Sequence, residues 1–482
     1  MKITNIEIKN FRAFPQIYHI NLHNAGKNLL VYGENGSGKS SLYLALKYFL
    51  ESSVPENSED NRNRAFETHQ NIFTEDPGHI KLRFLSESQQ EKNTYEWSRD
   101  VKEITDELIS ETSKAKGFLD YKSLLETHYL HRENDTVNLF DLLVKTLLAN
   151  TINPVTERTH AEDWNIIQPP FPRRGAKTQI AALEGRINFF NDELTNRLAE
   201  LRPKASEILN KFGYKVELDL DFQRVAYNQD EKTLDNQEIL LKVEFFDTDI
   251  SAHHRFLNEA KLSAIAIAIY LSSILCLPEP KEGMKILALD DVLIGLDMSN
   301  RLPVLDILND YFPDHQIFLT TYDKAWYEIA KQRPSRSGKW KAVEFYFSQT
   351  DAYEIPVYAE DKAYLEKAKE YLDANDYKAC AIYVRTAFEA VIKQYCEKKD
   401  LAIKYRENPR DLRSEDFWIP IKMEKDEDGL LLLDLRVVDK IEWARKFILN
   451  ELSHATFANI YRKELEDAIE AVEQLENALA AV

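Results

Sequence analysis

Residues 28–50 read Asn28-Leu-Leu-Val-Tyr-Gly33-Glu-Asn-Gly-Ser-Gly38-Lys39-Ser40-Ser-Leu-Tyr-Leu-Ala-Leu-Lys-Tyr-Phe-Leu50. An apolar run leads into a glycine-rich turn that matches G-x-x-x-x-G-K-S. Leu42, Leu46, Phe49 and Leu50 then recur at helical spacing. Strand, loop and helix in that order are the context in which such a turn cradles phosphate through its backbone N–H groups. Gly33, Gly36 and Gly38 let the backbone approach a ligand, and Asn35 and Ser41 flank it. Lys39 is expected to reach the β- and γ-phosphates and Ser40 to ligate Mg²⁺, so ATP and Mg²⁺ are the expected cofactors.

Far downstream, Ile286-Leu-Ala-Leu289-Asp290-Asp291 predicts a buried central strand that ends on two carboxylates. Asp290 then emerges where α/β sheets hold ligands and would orient the metal. Asp291 stands where a water-polarising carboxylate belongs.

The remaining sequence bounds the setting. The 482 residues allow two to four domains; 44% are hydrophobic and 30% charged, as in an ordinary globular chain. A net charge of −19 argues against broad, non-specific wrapping of nucleic acid, though not against a local basic groove. Cys276, Cys380 and Cys396 form neither a CxxC pair nor a zinc-like spacing, the pattern of a reducing compartment. The opening MKITNIEIKNF alternates like a strand and is no signal peptide. Leu262–Leu277 reads as a buried helix too short to span a bilayer. A cytoplasmic protein with no membrane contact is expected. Residues 101–250 read as mostly helical, with a Pro-rich break at Ile166–Gly175, a helix over Ala181–Lys211 with Pro203 as a candidate break, and strands at Val216–Phe222 and Ile239–Phe246. The last strand of the core is expected at Ala342–Phe347. Beyond residue 360 the pattern is helical apart from an irregular segment around Arg406–Leu435.

The chain resembles the SMC/RecF branch of ABC ATPases. Lys2–Phe14, with Asn10-Phe11-Arg12, is similar to that branch's first hairpin. Leu257-Asn258-Glu259-Ala260-Lys261 resembles the LSGGE-type signature, and Ile294-Gly-Leu-Asp297 the D-loop. The resemblance implies an α/β fold: an ABC-type P-loop ATPase core with a helical, coiled-coil insertion. The N-terminal lobe would span 1–100, the insertion 101–250 and the C-terminal lobe 251–350. It also implies that Asn258 and Asp297 complete the nucleotide site of a second copy, so a homodimer or higher symmetric oligomer is expected. The departures are specific. Asn258 replaces the signature serine, the glycine pair is absent, Asp291 replaces a glutamate, and Tyr322 in Thr320-Thr-Tyr322-Asp323 occupies the place of the switch histidine. A phenol can hydrogen-bond a phosphate but carries no positive charge, so slow or conditional hydrolysis is expected. Gln70 is a candidate Q-loop metal contact that reads equally as a surface glutamine. Arg12 is a candidate nucleotide contact that reads equally as a strand-end charge.

Residues 360–482 carry two pairs at helical spacing: Arg385 with Glu389, and Asn450 with His454. They resemble the all-α HEPN fold and the nuclease part of PrrC/RloC-type anticodon nucleases. That resemblance implies metal-free RNA cleavage, with tRNA as substrate. His454 would be the general acid or base, Arg385 the phosphate stabiliser and Glu389 the residue that orients or tunes those two, with Asn450 a further catalytic candidate on the His454 face. The same residues read alternatively as an intrahelical ion pair and a packed histidine. Three functions follow from the resemblances: an antiphage-defence ATPase gating its own RNase; a sensor or scaffold ATPase, similar to the PtuA or AriA subunits, that holds a separate nuclease effector and answers a phage trigger protein; and a RecF-type DNA-repair ATPase.

Overall fold

The computed structural model describes residues 1–53, 65–85, 92–127, 136–246, 248–250, 252–281, 283–332, 338–349, 354–360, 364–406, 412–425, 429–449 and 461–480. They divide into two compact units, 1–360 and 361–482.

The first unit is built on a six-stranded sheet. Its order is Glu354–Glu360, Trp340–Gln349, Asn28–Gly33, Gln316–Thr321, Ile286–Asp290 and Lys116–Asp120. All neighbours are parallel except the first pair. The central strands Ile286–Asp290, anticipated from sequence, and Gln316–Thr321 are buried throughout. A strand covered on both faces must be apolar on both, which is why these segments do not alternate. The phosphate-loop helix Lys39–Glu51 packs beside them through Leu42, Leu46, Phe49 and Leu50, each at most 2% exposed. Burying one such side chain contributes about 1.5–3 kcal/mol.

Two four-stranded sheets accompany the core. Tyr18–Asn21, Lys2–Lys9, His79–Leu85 and Lys92–Ser98 form an antiparallel sheet. Val216–Gln223 pairs with Glu238–Phe245 in another, with Val137–Asn138 and Asp249–Ile250 beside the latter. The helix Glu259–Ile274 is apolar all round and buried from Leu262 onward. Among the described residues no helix is long and apolar enough to cross a membrane.

Three features depart from the sequence reading. The segment 101–250 is not wholly helical: Lys116–Asp120 enters the core sheet beside Ile286–Asp290. A Cβ at Gly117 would lie 2.6 Å from Ile274 Cδ1, so a larger residue there would force that side chain to shift. Pro203 does not break its helix, which runs from Lys177 to Lys211. Ile180, Leu183, Ile187, Phe190, Leu194, Leu198 and Leu201 line its buried face, and that packing outweighs the one hydrogen bond a proline removes. The Pro/Tyr/acidic stretch before residue 360 is the edge strand Glu354–Glu360, a position where a proline is tolerated.

The second unit is helical. Tyr364–Asp373, Tyr377–Lys398, Ser414–Lys422, Leu435–Ala444 and Arg462–Ala480 surround a core that includes Phe388, Trp418, Ile441 and Leu465. Ser414–Lys422 lies inside the segment read as irregular. Its start is fixed by Arg406, which pairs with Asp416 at 2.8 and 2.9 Å and holds that carboxyl down at about 2.

Two buried histidines in the first unit set a pH limit. His160 stacks on Phe190 with ring centroids 4.7 Å apart, and burial pushes it down to about 4; His315 is likewise pushed down to about 4 by burial. Each must be neutral when folded yet titrates near 6.5 when unfolded. Their stabilisation is therefore complete above about pH 6.5 and is lost as pH falls toward 4, at roughly 1.4 kcal/mol per unit for each. The thermal midpoint is expected to drop between pH 7 and pH 5, and His160→Phe should flatten that drop. An unchanged pH dependence in the variant would contradict the assignment.

Candidate nucleotide-binding site

The core sheet delivers its chemistry at one edge. Gly33 pairs with Phe345, Thr321 with Tyr32, Leu289 with Leu319, and Asp290 with Asp120, so four parallel strands end together. Ligands of open α/β sheets bind at this carboxyl end. From Gly33 the chain turns through residues 34–38 into the helix Lys39–Glu51. No side chain caps that helix, which leaves its first N–H groups for another acceptor. Gly38 sits at φ +98°, and a Cβ there would also meet Phe14 and Pro356 at 3.2–3.3 Å, so glycine is required.

Lys39 is buried. Its Nζ donates to the carbonyls of Gly33 at 2.8 Å and Glu34 at 3.2 Å, and lies 3.4 Å from Asp291 Oδ2. Ser40 stands close enough to Asp290 to help lower that carboxyl. Thr320 Oγ1 donates to Asp290 Oδ1 at 2.6 Å and accepts the Asp291 N–H at 3.1 Å. Burial raises the Asp290 carboxyl above its ordinary value against the opposing influence of Ser40 and Thr320. Burial also raises Asp291, opposed by Lys39 and by the Tyr322 N–H. Asp291 stands at φ +52°, an uncommon conformation for a side chain of this type.

These residues fit ATP and Mg²⁺. Two buried oxygens, Ser37 Oγ and Asp291 Oδ1, make no hydrogen bond among the described residues. The Ser40 hydroxyl and Asp290 carboxylate are hard oxygen donors of the kind Mg²⁺ takes. No group of three His, Cys, Asp or Glu able to hold a metal occurs among the described residues, so a cation here would keep waters and phosphate oxygens in its shell.

Arg12 and Gln70 occupy a different flank. With Gly36, Ser41, His69, Asn71 and Phe73 they line a cavity of about 560 Å³ beside the phosphate loop. Asn71 ties its walls together: its Nδ2 donates to the Arg12 carbonyl at 2.6 Å and its N–H to Asn10 Oδ1 at 3.2 Å. Gln70 Nε2 donates to the Asp76 carbonyl at 3.2 Å, so its amide is engaged in this wall and not with Ser40 or Asp290. The residue opposite Asp290 is instead Asp120, whose carboxylate accepts the Ser123 N–H at 2.8 Å and whose charge helps raise Asp290. Sequence reading missed it. The signal was the same as for Asp290: a short apolar run, Gly-Phe-Leu, ending on aspartate before a helix.

Asn258 and Asp297 stand at helix N-termini and bond within their own helices. Asn258 Oδ1 accepts the Lys261 N–H at 3.0 Å; Asp297 Oδ1 accepts from Ser299 Oγ at 2.7 Å and from the Asn300 N–H at 3.0 Å, which lowers the Asp297 carboxyl. Both are exposed, and no bond links either to the phosphate loop of the same chain. Tyr322 is 39% exposed at the end of its strand.

In the helical unit, Arg385 Nε lies 3.0 Å from Glu389 Oε1, and Lys393 lies 3.7 Å from the same carboxylate. A π-helical turn, Arg445–Leu449, packs against their helix. Asn450 and His454, the other half of the proposed constellation, lie outside the described residues.

Residues 5–244 match a family model described as an AAA domain. The chain is also similar to three solved SMC heads. One is the SmcHead bound to the C-winged helix domain of ScpA (14% identity, TM-score 0.41, covering 76% of this chain and all of that one). Another is the SMC head domain from Thermotoga maritima (12%, 0.37, 75% and all). The third is the Smc head with an extended coiled coil bound to the C-terminal domain of ScpA derived from Pyrococcus furiosus (13%, 0.38, 78% and 99%). No curated protein matches it. The first unit is thus a mixed α/β P-loop ATPase core.

Lys39→Ala should weaken binding of a fluorescent ATP analogue by about a hundredfold, since the buried phosphate charge loses its cation. Asp291→Ala should bind the analogue but turn over at least about tenfold more slowly. Wild-type turnover in Asp291→Ala would move the water-polarising group elsewhere.

Proposed function

We propose that this chain is a Mg²⁺-dependent ATPase of SMC/RecF type, completed by a second copy of itself, whose cycle gates an effector activity in antiphage defence. The observation that carries the ATPase is the convergence, at one sheet edge, of the phosphate loop with Lys39 and Ser40, the Lys39–Asp291 ion pair, and the hydrogen bonds that Thr320 makes to Asp290 and Asp291. Lys39 offsets phosphate charge, Ser40 and Asp290 hold the cation that bridges phosphate oxygens, and Asp291 accepts the proton of the attacking water. Asn258 and Asp297 serve the facing copy, because each is exposed and bonded away from its own loop. The cavity beside Arg12 and Asn71 suits the base and ribose.

For the effector, the first reading is a HEPN-like RNase that cuts tRNA. Arg385 is part-exposed on its helix and would stabilise the extra phosphate charge when a 2′-OH attacks phosphorus. His454 and Asn450 follow the turn that packs on that helix, and His454 would move the proton. A second reading has its own support: Ile419, Met423, Leu430, Leu431 and Leu435 are 40–67% exposed in the helical unit, apolar area suited to docking a separate nuclease.

RNA profiling after expression of wild type, His454→Ala and Arg385→Ala separates them. The RNase reading expects both variants to lose RNA cleavage and immunity while ATPase turnover and thermal midpoint are retained, without additivity in the double variant. A stable His454→Ala protein with full immunity would support the docked-effector reading and remove the RNase.

A further inference from the structure

We propose that the aromatic and basic patch around Phe246 receives the segment Ile72–Asp76 of a second copy, a contact that seals the flank of each composite ATP site. This rests on the shared-site reading above.

The chain leaves two apolar rims uncovered, one beside each half of that site. The first borders the cavity by the phosphate loop. Ile72 is 88% exposed and Phe73 54%, and both line that cavity with Gly36 and Ser41. Glu75 and Asp76 continue the rim, and both are exposed. The Asp76 carboxylate lies 4.0 Å from Lys9, and Glu75 has no cationic partner among the described residues. The second rim adjoins Asn258. The N–H that Asn258 caps belongs to Lys261. The Lys261 ammonium lies 5.2 Å from the centroid of the Phe245 ring and 5.6 Å from that of Tyr214. Phe245 meets Phe246 edge-on with centroids 4.6 Å apart, and Lys215 stands 5.5 Å over the Phe246 ring. Phe246 is 60% exposed, and Phe256, two residues before Asn258, 68%.

Phe246 stands at φ +51°, a conformation that a bulky side chain rarely adopts. Its N–H bonds the Lys215 carbonyl at 3.3 Å, and Phe245 and Thr248 close the turn with backbone bonds of 2.9 and 3.2 Å. The fold thus accepts strain to keep a large ring in water, as a surface with a partner does. Neither Lys215 nor Lys261 has a carboxylate partner among the described residues. Rings crowned by such cations fit an apolar segment that carries carboxylates, and Ile72-Phe73-Thr74-Glu75-Asp76 is such a segment. Symmetry supplies the pairing. Where Asn258 of one copy meets the phosphate loop of the other, the rim beside Asn258 meets the rim beside that loop, and a two-fold axis repeats the contact. In that arrangement neither rim meets itself.

Site-specific cross-linking tests this. Cys276, Cys380 and Cys396 are buried, so introduced surface thiols react selectively. Ile72→Cys protomers are mixed with Thr248→Cys protomers, allowed to exchange, and treated with a short bismaleimide with and without MgATP. Thr248 is exposed beside Phe246, and replacing it spares both rings and both lysines. A cross-linked dimer is expected in the mixture with MgATP and in neither variant alone. Phe246→Ser in the Thr248→Cys chain should lower the yield about tenfold or more, whereas Phe246→Tyr, which keeps the ring, should retain it; thermal midpoints check that both fold. A product in either variant alone, or an unchanged yield in folded Phe246→Ser, would overturn the proposal. Mixed Lys39→Ala and Asn258→Asp protomers that regain ATPase activity, with no cross-linked product in the cysteine mixture, would overturn this surface and leave the shared site standing. Absence of both would overturn the shared site, and this inference with it.

Discussion

Thr320 sits between two carboxylates. It gives its proton to Asp290 and receives the backbone N–H of Asp291, and it can do so because Gln316–Thr321 and Ile286–Asp290 run parallel in fixed register. That register is the constraint on which the site depends. A slip of one residue would turn every side chain to the opposite face and carry Asp290 away from Ser40. The register is held from below by apolar contacts: Leu287, Leu289 and Leu319 pack on one face of the sheet, Ile286, Ala288 and Phe318 on the other. A core of that kind cannot bury Lys39, Asp290 and Asp291 cheaply unless they answer one another. They do, through Lys39 to Asp291 and through Thr320 to Asp290.

The same arrangement explains why hydrolysis should be conditional. Asp291 is shorter than a glutamate, is held at positive φ, and has one oxygen without a partner. The Tyr322 ring is part-exposed and brings no positive charge. The proposed base is therefore held by Lys39 and Thr320. An ATPase built this way suits a timed switch better than a rapid motor.

Much of this was legible in the sequence because local pattern and tertiary role coincide. The glycine-rich turn sits between a two-sided apolar strand and a 3.6-periodic helix, and no other reading satisfies both flanks. Ile286–Asp290 and the buried helix within Leu262–Leu277 were legible for the same reason. What escaped has a physical cause in each case. Lys116–Asp120 is five residues long with a single glycine, too short for periodicity to tell strand from helix. Pro356 disguised an edge strand, Pro203 a continuous helix and Pro420 a short one, since proline is judged locally but tolerated through packing. Arg301 carries no local signature at all: its bonds to the Leu296 carbonyl and to Asp323 exist only where two loops distant in sequence meet.

The central claim is that each ATP site takes its phosphate loop from one copy and Asn258 from another. Mixed-protomer complementation tests it most directly. Lys39→Ala disables the loop, and Asn258→Asp keeps the helix cap while setting a negative charge against phosphate. Each variant alone should be inactive. After proven subunit exchange, the mixture should regain up to about a quarter of wild-type ATPase activity, because random pairing makes half the dimers mixed and each of these holds one intact site of two. A mixture that exchanges subunits yet stays as inactive as its parents would contradict the shared site.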